Sequence, residues 1–154
     1  MEPADEFWAA YLSTEPEGLG PDARYVEAFR FGNTDSMADE LAALVLAGVK
    51  TTTSQLLRAV ETPIRPGDHS VVLDAAGVPV CVIRTVLTEV VPFDAVGERF
   101  AFDYGEGDRT LEWWRAHLWD YYADECRRNG WEADPQMPLL CETFRVVHPA
   151  PGRS

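Results

Sequence analysis

The chain has 154 residues, 46% of them hydrophobic and 11% aromatic, which is enough apolar material for one core and too little for two. Its 26 acidic residues outnumber 13 basic ones, and a net charge of -13 excludes a general electrostatic hold on nucleic acid, whose binding rests largely on phosphate neutralisation. No apolar run reaches the roughly 18 residues of a membrane span. The three cysteines form no CxxC pair, which favours a reducing cytoplasm without structural zinc. We therefore expect a single cytoplasmic domain over residues 1–154, with no membrane partner.

Two helices are predicted in the first third of the chain. Residues 5–12 carry large apolar side chains near one side of a helix. A second helix is indicated by apolar residues at helical spacing, with Thr34 or Ser36 able to cap its start and Gly48 ending it. The loop between the two helices is marked by Pro16, Gly18, Gly20 and Pro21.

From residue 69 the pattern changes to that of strands. Residues 69–74 and 78–87 are rich in β-branched side chains and are separated by Ala75-Ala76-Gly77, which is a hairpin signal. A last strand is predicted over 139–147, followed by a flexible tail at 149–154. Because the strands of the hairpin are too close for a helical crossover, we expect an α+β fold, with a curved antiparallel β-sheet or small β-barrel flanked by helices.

Two further helices are predicted between these strands. The first is short, over 94–99, and the second is long, over 110–128, ending at Gly130. An acidic loop punctuated by glycines, 103–108, joins them.

This acidic loop is one candidate site. Its carboxylates, Asp103, Glu106 and Asp108, lack the spacing of an EF-hand and have no adjacent His, so we predict no metal and no cofactor. A single functional carboxylate is the first interpretation. The alternative is a solvated loop in which Asp108 or Thr110 caps the long helix.

A second candidate site follows the second helix. Twelve of the basic residues are Arg and one is Lys, Lys50. Lys, unlike Arg, can lose its proton when it is desolvated, although a cation at a helix C-terminus has a simple electrostatic role as well. Four hydroxyl residues follow, and Thr53 or Ser54 could act as a nucleophile beside a base. The alternative is the start of a strand and the cap of a helix containing Leu56 and Leu57.

Several of these segments together resemble one known family. The residues that carry the resemblance are Phe31-Gly32-Asn33, Ala38 to Leu41, Leu44 to Ser54, Pro66 to Asp68, Val91 to Asp94, Gly105 to Leu111 with Trp114, and Cys141-Glu142 with Phe144. In this order and spacing they resemble the ASCH domain family in its bacterial single-domain branch, over about residues 7–147. Two positions depart from the usual pattern, since Asn33 stands where Asp is commoner and Tyr104 where an acidic residue is frequent.

The resemblance implies a PUA-like fold and a cleft lined by the Gly-x-Lys-x-x-Thr segment. Some family members are small amidohydrolases that remove an acyl group from the exocyclic nitrogen of cytidine-type nucleosides. By this resemblance Lys50, Thr53 and Glu106 are the catalytic candidates. The neighbouring hydroxyls and one aromatic side chain are the candidates for substrate binding: Thr51, Thr52, Ser54 and Tyr104.

The resulting hypothesis is hydrolysis of an acyl amide on a nucleoside-type small molecule. A neutral Lys50 would accept the proton of Thr53, and Glu106 would pass a proton to the leaving amine. On this basis Lys50→Arg should abolish hydrolysis and change stability by less than about 1 kcal/mol, and Glu106→Gln should lower turnover with little loss of stability. One alternative is an RNA-binding or ribonuclease module, in which Lys50 contacts phosphate and Tyr104 stacks a base; the net charge would make its RNA binding weak. Another alternative is a ligand sensor that catalyses no reaction.

Overall fold

A computed structural model of the chain describes residues 2–17, 19 and 23–153. The predicted loop positions Gly18, Gly20 and Pro21 lie outside them. Within the described residues the helices are α1 (Pro3–Ser13), α2 (Asp35–Leu46), α3 (Glu98–Tyr104) and α4 (Leu111–Arg128). The strands are β1 (Arg24–Phe29), β2 (Thr52–Leu56), β3 (Asp68–Leu73), β4 (Pro79–Pro92) and β5 (Pro138–Pro149). None of the helices in this part of the chain is long and apolar enough to span a bilayer.

The five strands form one mixed sheet in the order β1-β3-β4-β5-β2. The pairs β3–β4, β4–β5 and β5–β2 are antiparallel, whereas β1 runs parallel to β3. The predicted α+β class is confirmed, and the sheet is open, with β1 and β2 at its edges, rather than closed into a barrel. The parallel pair arises because α2 and β2 intervene between β1 and β3 and supply the long crossover that such a pair needs.

Two helices cover opposite faces of the sheet because side chains alternate along β3. Val71 packs with Ala4 and Tyr11 of α1, while its neighbour Val72 packs with α2, for example against Val45. Both valines are fully buried.

The aromatic stripe of α4 forms a third part of the core. Trp114 and Tyr122 are 0% and 1% exposed, and they pack with α3 and with Leu56 and Leu139 at the β2–β5 end of the sheet. This packing fixes α3 and α4 beside β2.

The capped helices agree with the sequence predictions. Thr34 caps α2 by accepting from the Met37 N–H at 3.1 Å, and Thr110 caps α4 in the same way from Trp113 at 3.1 Å. The hairpin of β3 and β4 is confirmed as well.

One helix prediction is wrong, and so is the helix in the alternative interpretation of the segment after Lys50. Leu56 belongs to β2, and a single 3₁₀ turn, Leu57–Ala59, stands where a helix was expected. The helix predicted over 94–99 is replaced by a 3₁₀ turn, Phe93–Ala95, with α3 beginning only at Glu98. The N–H groups of Phe93 and Asp94 donate to Met137 and Pro135 in the loop before β5, so this segment follows that loop rather than coiling into a helix.

The C-terminal segment predicted to be a flexible tail begins inside β5, which extends to Pro149. Beyond the strand, the Ala150 N–H donates to the Val80 carbonyl at 2.8 Å, and Arg153 pairs with Asp74 at 3.2 Å. Its flexibility stays a prediction.

Candidate functional site

A cavity of about 260 Å³ opens on the α2 side of the sheet. Both edge strands contribute to it, β1 through Glu27 and β2 through Thr53, so the sheet curves around this space. The cavity is lined by Glu27, Phe29, Arg30, Phe31, Gly32, Met37, Leu41, Thr53, Ser54, Gln55, Ile64, Tyr104, Glu106, His117, Leu118, Tyr121 and Glu142. A ligand in this cavity would therefore contact several aromatic rings and three carboxyl groups.

Lys50 lies in a closed polar cage behind this cavity. It is 1% exposed, and its Nζ donates to the Thr52 carbonyl at 2.8 Å and to the Tyr104 carbonyl at 3.3 Å. The third contact of Nζ is Oε2 of Glu106 at 2.8 Å, and the ring centroid of Tyr104 lies 3.5 Å away. Every hydrogen-bonding position of the amine is therefore occupied.

The chain reaches this cage through Gly105, at the C-terminal end of α3. Gly105 has φ of 73°, and a Cβ added to it would lie 2.6 Å from the Val49 carbonyl oxygen and 2.8 Å from the Lys50 Cα. The Thr51 N–H also donates to the Asp103 carbonyl at 2.7 Å. This close backbone contact places Glu106, the next residue, against the amine of Lys50.

Burial and charge act in opposite directions on Lys50. Desolvation lowers the pKa of its amine, while the carboxylate of Glu106 raises it, and the net direction is downward. The cage accommodates an ammonium that donates three hydrogen bonds, and equally an amine that donates two and accepts one from a protonated Glu106. A proton can therefore move along the contact between the two side chains with little motion of the heavy atoms.

Three hydroxyl groups form a hydrogen-bonded chain that runs from the cavity wall at Ser54 and Tyr104 into the core at Tyr122. Ser54 Oγ lies 2.6 Å from the Tyr122 hydroxyl and 3.2 Å from the Tyr104 hydroxyl. Burial raises the pKa of both tyrosines, so their hydroxyls stay protonated at neutral pH and remain available as donors.

A second buried carboxyl group, Glu142, lines the cavity from β5. It is 5% exposed and accepts a hydrogen bond from Thr85 Oγ1 at 2.7 Å. Burial raises the pKa of this carboxyl to about 7. The hydrogen bond from Thr85 opposes this rise, the charges of Glu27 and Asp68 add to it, and the charge of Lys50 has the smallest effect, in the lowering direction.

The predicted site residues separate into two groups. Thr53, Ser54, Tyr104 and Glu106 line the cavity, and Lys50 contacts Glu106 from behind without reaching the cavity wall formed by the described residues. The structure also leaves Thr51 and Thr52 out of that wall, since Thr52 Oγ1 donates to the Phe100 carbonyl at 3.1 Å.

The acidic loop predicted over 103–108 begins only at Gly105, because Asp103 and Tyr104 belong to α3, and its three carboxylates have different environments. Asp103 forms a surface ion pair with Arg99. Asp108 accepts hydrogen bonds from the backbone N–H and the hydroxyl of Thr110. Glu106 is buried and forms an ion pair with Lys50. In the ranges 2–17, 19 and 23–153, no three His, Cys, Asp or Glu side chains gather so as to hold a metal ion.

Sequence reasoning missed several wall residues, including Glu27, Arg30, His117 and Glu142. Glu142 carried a signal, since it is a carboxylate inside an otherwise apolar alternating strand, where a buried charge is rare without a partner. The other three carried none, because they meet only through the curvature of the sheet.

Taken together, the open mixed sheet with covering helices and the cavity at its edges define a PUA-like α+β pocket domain. A family model described as the ASCH domain matches residues 27–148. The chain therefore belongs to the ASCH domain family, as the sequence motifs predicted. It has no match among curated proteins.

Two solved structures are similar to the chain in both fold and sequence. An ASCH domain from Lactobacillus crispatus JV V101 has a TM-score of 0.87 and 28% identity, covering 95% of this chain and 94% of its own. Protein EF3133 from Enterococcus faecalis V583 has a TM-score of 0.83 and 28% identity, with 96% and 89% coverage. A hypothetical protein, PH0355, shares the fold alone, at a TM-score of 0.53 and 14% identity with 80% and 99% coverage.

Proposed function

We propose that the chain is a small-molecule hydrolase that cleaves an acyl amide on the exocyclic nitrogen of a nucleoside-type heterocycle. The observation that carries the proposal is the buried Lys50–Glu106 pair, one member of which opens onto a cavity that also presents the Thr53 hydroxyl. A nucleophile and a proton-exchanging pair at one wall are the parts that amide cleavage needs.

The cavity suits a small aromatic ligand. Its volume of about 260 Å³ lies just below the range of roughly 300–1,000 Å³ typical of drug-sized ligands, so a ligand with one heterocyclic ring fits its scale. The rings of Phe29 and Phe31 lie on one side and Tyr121 on another, which favours stacking of a flat heterocycle.

The proton balance of the reaction runs through Glu106. Thr53 Oγ1 attacks the amide carbonyl, and its proton passes to the Glu106 carboxylate. The C–N bond then breaks as Glu106 returns that proton to the leaving amine, leaving an acyl ester on Thr53. Water attacks the ester and releases the carboxylic acid, which restores the threonine hydroxyl.

In this scheme Lys50 is a positioning residue rather than the group that touches Thr53. Among the described residues Lys50 makes no hydrogen bond to Thr53, and its amine donates hydrogen bonds to two backbone carbonyls and pairs with Glu106. Its ammonium donates to Oε2 of Glu106 and so holds in place the carboxylate that receives the proton of Thr53. The hydroxyls of Tyr104 and Ser54 are the donors available to the negative charge on the carbonyl oxygen.

The charge of the cavity disfavours the RNA alternative. Three of its wall residues are glutamates, and its arginine, Arg30, is paired with Asp35 at 3.0 Å. Phosphate groups would be repelled by Glu27 and, above about pH 7, by Glu142, whereas a neutral acylated heterocycle would not.

The direct test is release of cytidine from N4-acetylcytidine, followed by chromatography. Thr53→Val should reduce kcat by at least about 10²-fold, because the valine retains the shape of threonine and removes the nucleophile. A matched control is Thr143→Val in β5, which lies next to Glu142 but lines a separate cavity on the other face of the sheet. Wild-type activity in Thr53→Val, or equal losses in the two variants, would contradict the proposed mechanism.

A further inference from the structure

Glu142 has no role in the transfer steps above, although it lies beside the nucleophile. In the β2–β5 ladder it is the direct partner of Thr53, and both side chains line the cavity. Directly opposed residues on one face of an antiparallel pair have Cβ atoms roughly 4.5–5.5 Å apart. A group bound to Glu142 is therefore held next to the hydroxyl of Thr53.

The carboxyl group of Glu142 has spare hydrogen-bonding capacity. Within the described part of the chain its side chain makes one hydrogen bond, from Thr85 to Oε2. Oε1 and a lone pair of Oε2 remain for a ligand. Because the pKa of this carboxyl is about 7, near neutral pH it carries a proton for much of the time, and a protonated carboxyl offers an O–H donor beside an acceptor.

That pair of groups matches one kind of heterocycle edge. An acylated amino group next to a ring nitrogen presents an N–H donor beside an acceptor, as in N4-acylcytosine or an acylated 2-aminopyridine. Two parallel hydrogen bonds then form, in which the carboxyl O–H donates to the ring nitrogen and the amide N–H donates to the other oxygen. Carboxylate side chains accept from the cytosine N4 group in nucleic-acid recognition as well.

We propose that Glu142 is a specificity-determining residue, which selects heterocyclic acyl amides by pairing with the amide N–H and the adjacent ring nitrogen. The proposal rests on the proposed function, because it concerns the same cavity and reaction. The pairing holds the scissile amide nitrogen at Glu142 and its carbonyl carbon towards Thr53.

The test compares two substrates that differ in one ring atom. 2-Acetamidopyridine has the ring nitrogen, and acetanilide has a C–H in its place. At pH 6 the wild-type protein should favour the pyridine by roughly tenfold or more in kcat/KM. Acetanilide keeps the amide N–H but has no ring nitrogen, so one of the two hydrogen bonds to Glu142 is lost. This preference should fall as the pH rises through about 7, where Glu142 loses its proton.

Three variants separate recognition from a structural role. Glu142→Gln supplies an amide donor and acceptor that do not titrate, so it should keep a preference that no longer changes with pH. Glu142→Leu should bring the ratio of the two kcat/KM values close to one. Thr85→Val removes the hydrogen bond that favours the charged carboxylate, so it should move the fall in preference to higher pH.

A wild-type ratio near one at pH 6, or a preference unchanged in Glu142→Leu, would overturn the assignment. If neither amide is hydrolysed by the wild-type protein, the two dissociation constants decide the role of Glu142, whereas the proposed function fails only if N4-acetylcytidine is not hydrolysed either. A preference for 2-acetamidopyridine in binding, lost in Glu142→Leu, would support it, and equal affinities would overturn it.

Discussion

Replacing Glu106 by glutamine removes the counter-ion of a lysine that is 1% exposed. Lys50 would keep its two carbonyl acceptors but lose its only carboxylate contact among the described residues. Removing one partner of a buried ion pair costs roughly 3–5 kcal/mol. The amine can instead lose its proton, and from the ordinary pKa of 10.5 this costs about 5 kcal/mol at pH 7. We therefore expect a loss of about 3–5 kcal/mol in the free energy of unfolding, or roughly 6–20 °C in Tm.

The pH dependence of this loss identifies its cause. In Glu106→Gln the unfolded chain holds the Lys50 proton up to about pH 10.5, whereas the folded state releases it at lower pH. Between the folded-state and unfolded-state pKa values the unfolded state binds more protons, so the stability of the variant rises with pH there, by at most about 1.4 kcal/mol per pH unit. Urea denaturation at pH 7, 8 and 9 measures the difference from the wild-type protein.

Two controls accompany this experiment. Asp108→Asn alters an exposed carboxylate of the same loop and should cause a smaller loss that does not change over this pH range, because hydrogen bonds from Thr110 lower the pKa of Asp108. The double variant Lys50→Met with Glu106→Leu replaces both charges by apolar groups and should recover most of the stability. A loss below about 1 kcal/mol in Glu106→Gln that is independent of pH would refute the buried ion pair.

Three other predictions concern the wall of the cavity and its ligands. Gly105→Ala should lower the free energy of unfolding by roughly 2 kcal/mol or more, measured by thermal denaturation, because the added Cβ meets backbone atoms of Val49 and Lys50. The control Gly77→Ala, with φ of 80° and open space around it, should lower the free energy of unfolding by less. Tyr122→Phe should lose about 1 kcal/mol in urea denaturation, since it removes the 2.6 Å hydrogen bond to Ser54, and an unchanged stability would contradict that bond. Single-stranded RNA should bind weakly at physiological salt in fluorescence anisotropy because the net charge is -13, and tight binding with a steep salt dependence would contradict this.

The local parts of the fold were predictable because their signals are local. Thr34 and Thr110 cap helices whose apolar residues recur at helical spacing, and Gly77 turns the hairpin. The start of α3 was not predictable in this way, since hydrogen bonds from Phe93 and Asp94 to a loop some forty residues later decide the path of that segment.

The sequence predicted some of the residues that line the cavity and little of their geometry: it named Thr53 and Glu106 but missed Glu27 and Glu142. The motif resemblance named Lys50 and Glu106, and they are in contact. The complete burial of Lys50 depends on the approach of Gly105 to its backbone, which no spacing in the sequence reveals. Because Lys50 and Glu106 form a buried pair, we replace two expectations from the sequence: that Lys50→Arg changes stability by less than about 1 kcal/mol, and that Glu106→Gln loses little stability. A bulkier guanidinium cannot occupy a cage closed by the Tyr104 ring at 3.5 Å, and we expect a clear loss of stability.

The central claim is that Thr53 attacks the acyl group of a ligand held in the cavity. Intact-protein and peptide mass spectrometry after rapid mixing with N4-acetylcytidine tests it most directly. We predict that acetylated protein appears within the first turnovers, that the acetyl group maps to Thr53, and that Thr53→Val shows neither the adduct nor turnover. Undiminished turnover in Thr53→Val, or an acetyl group on another residue, would contradict the account.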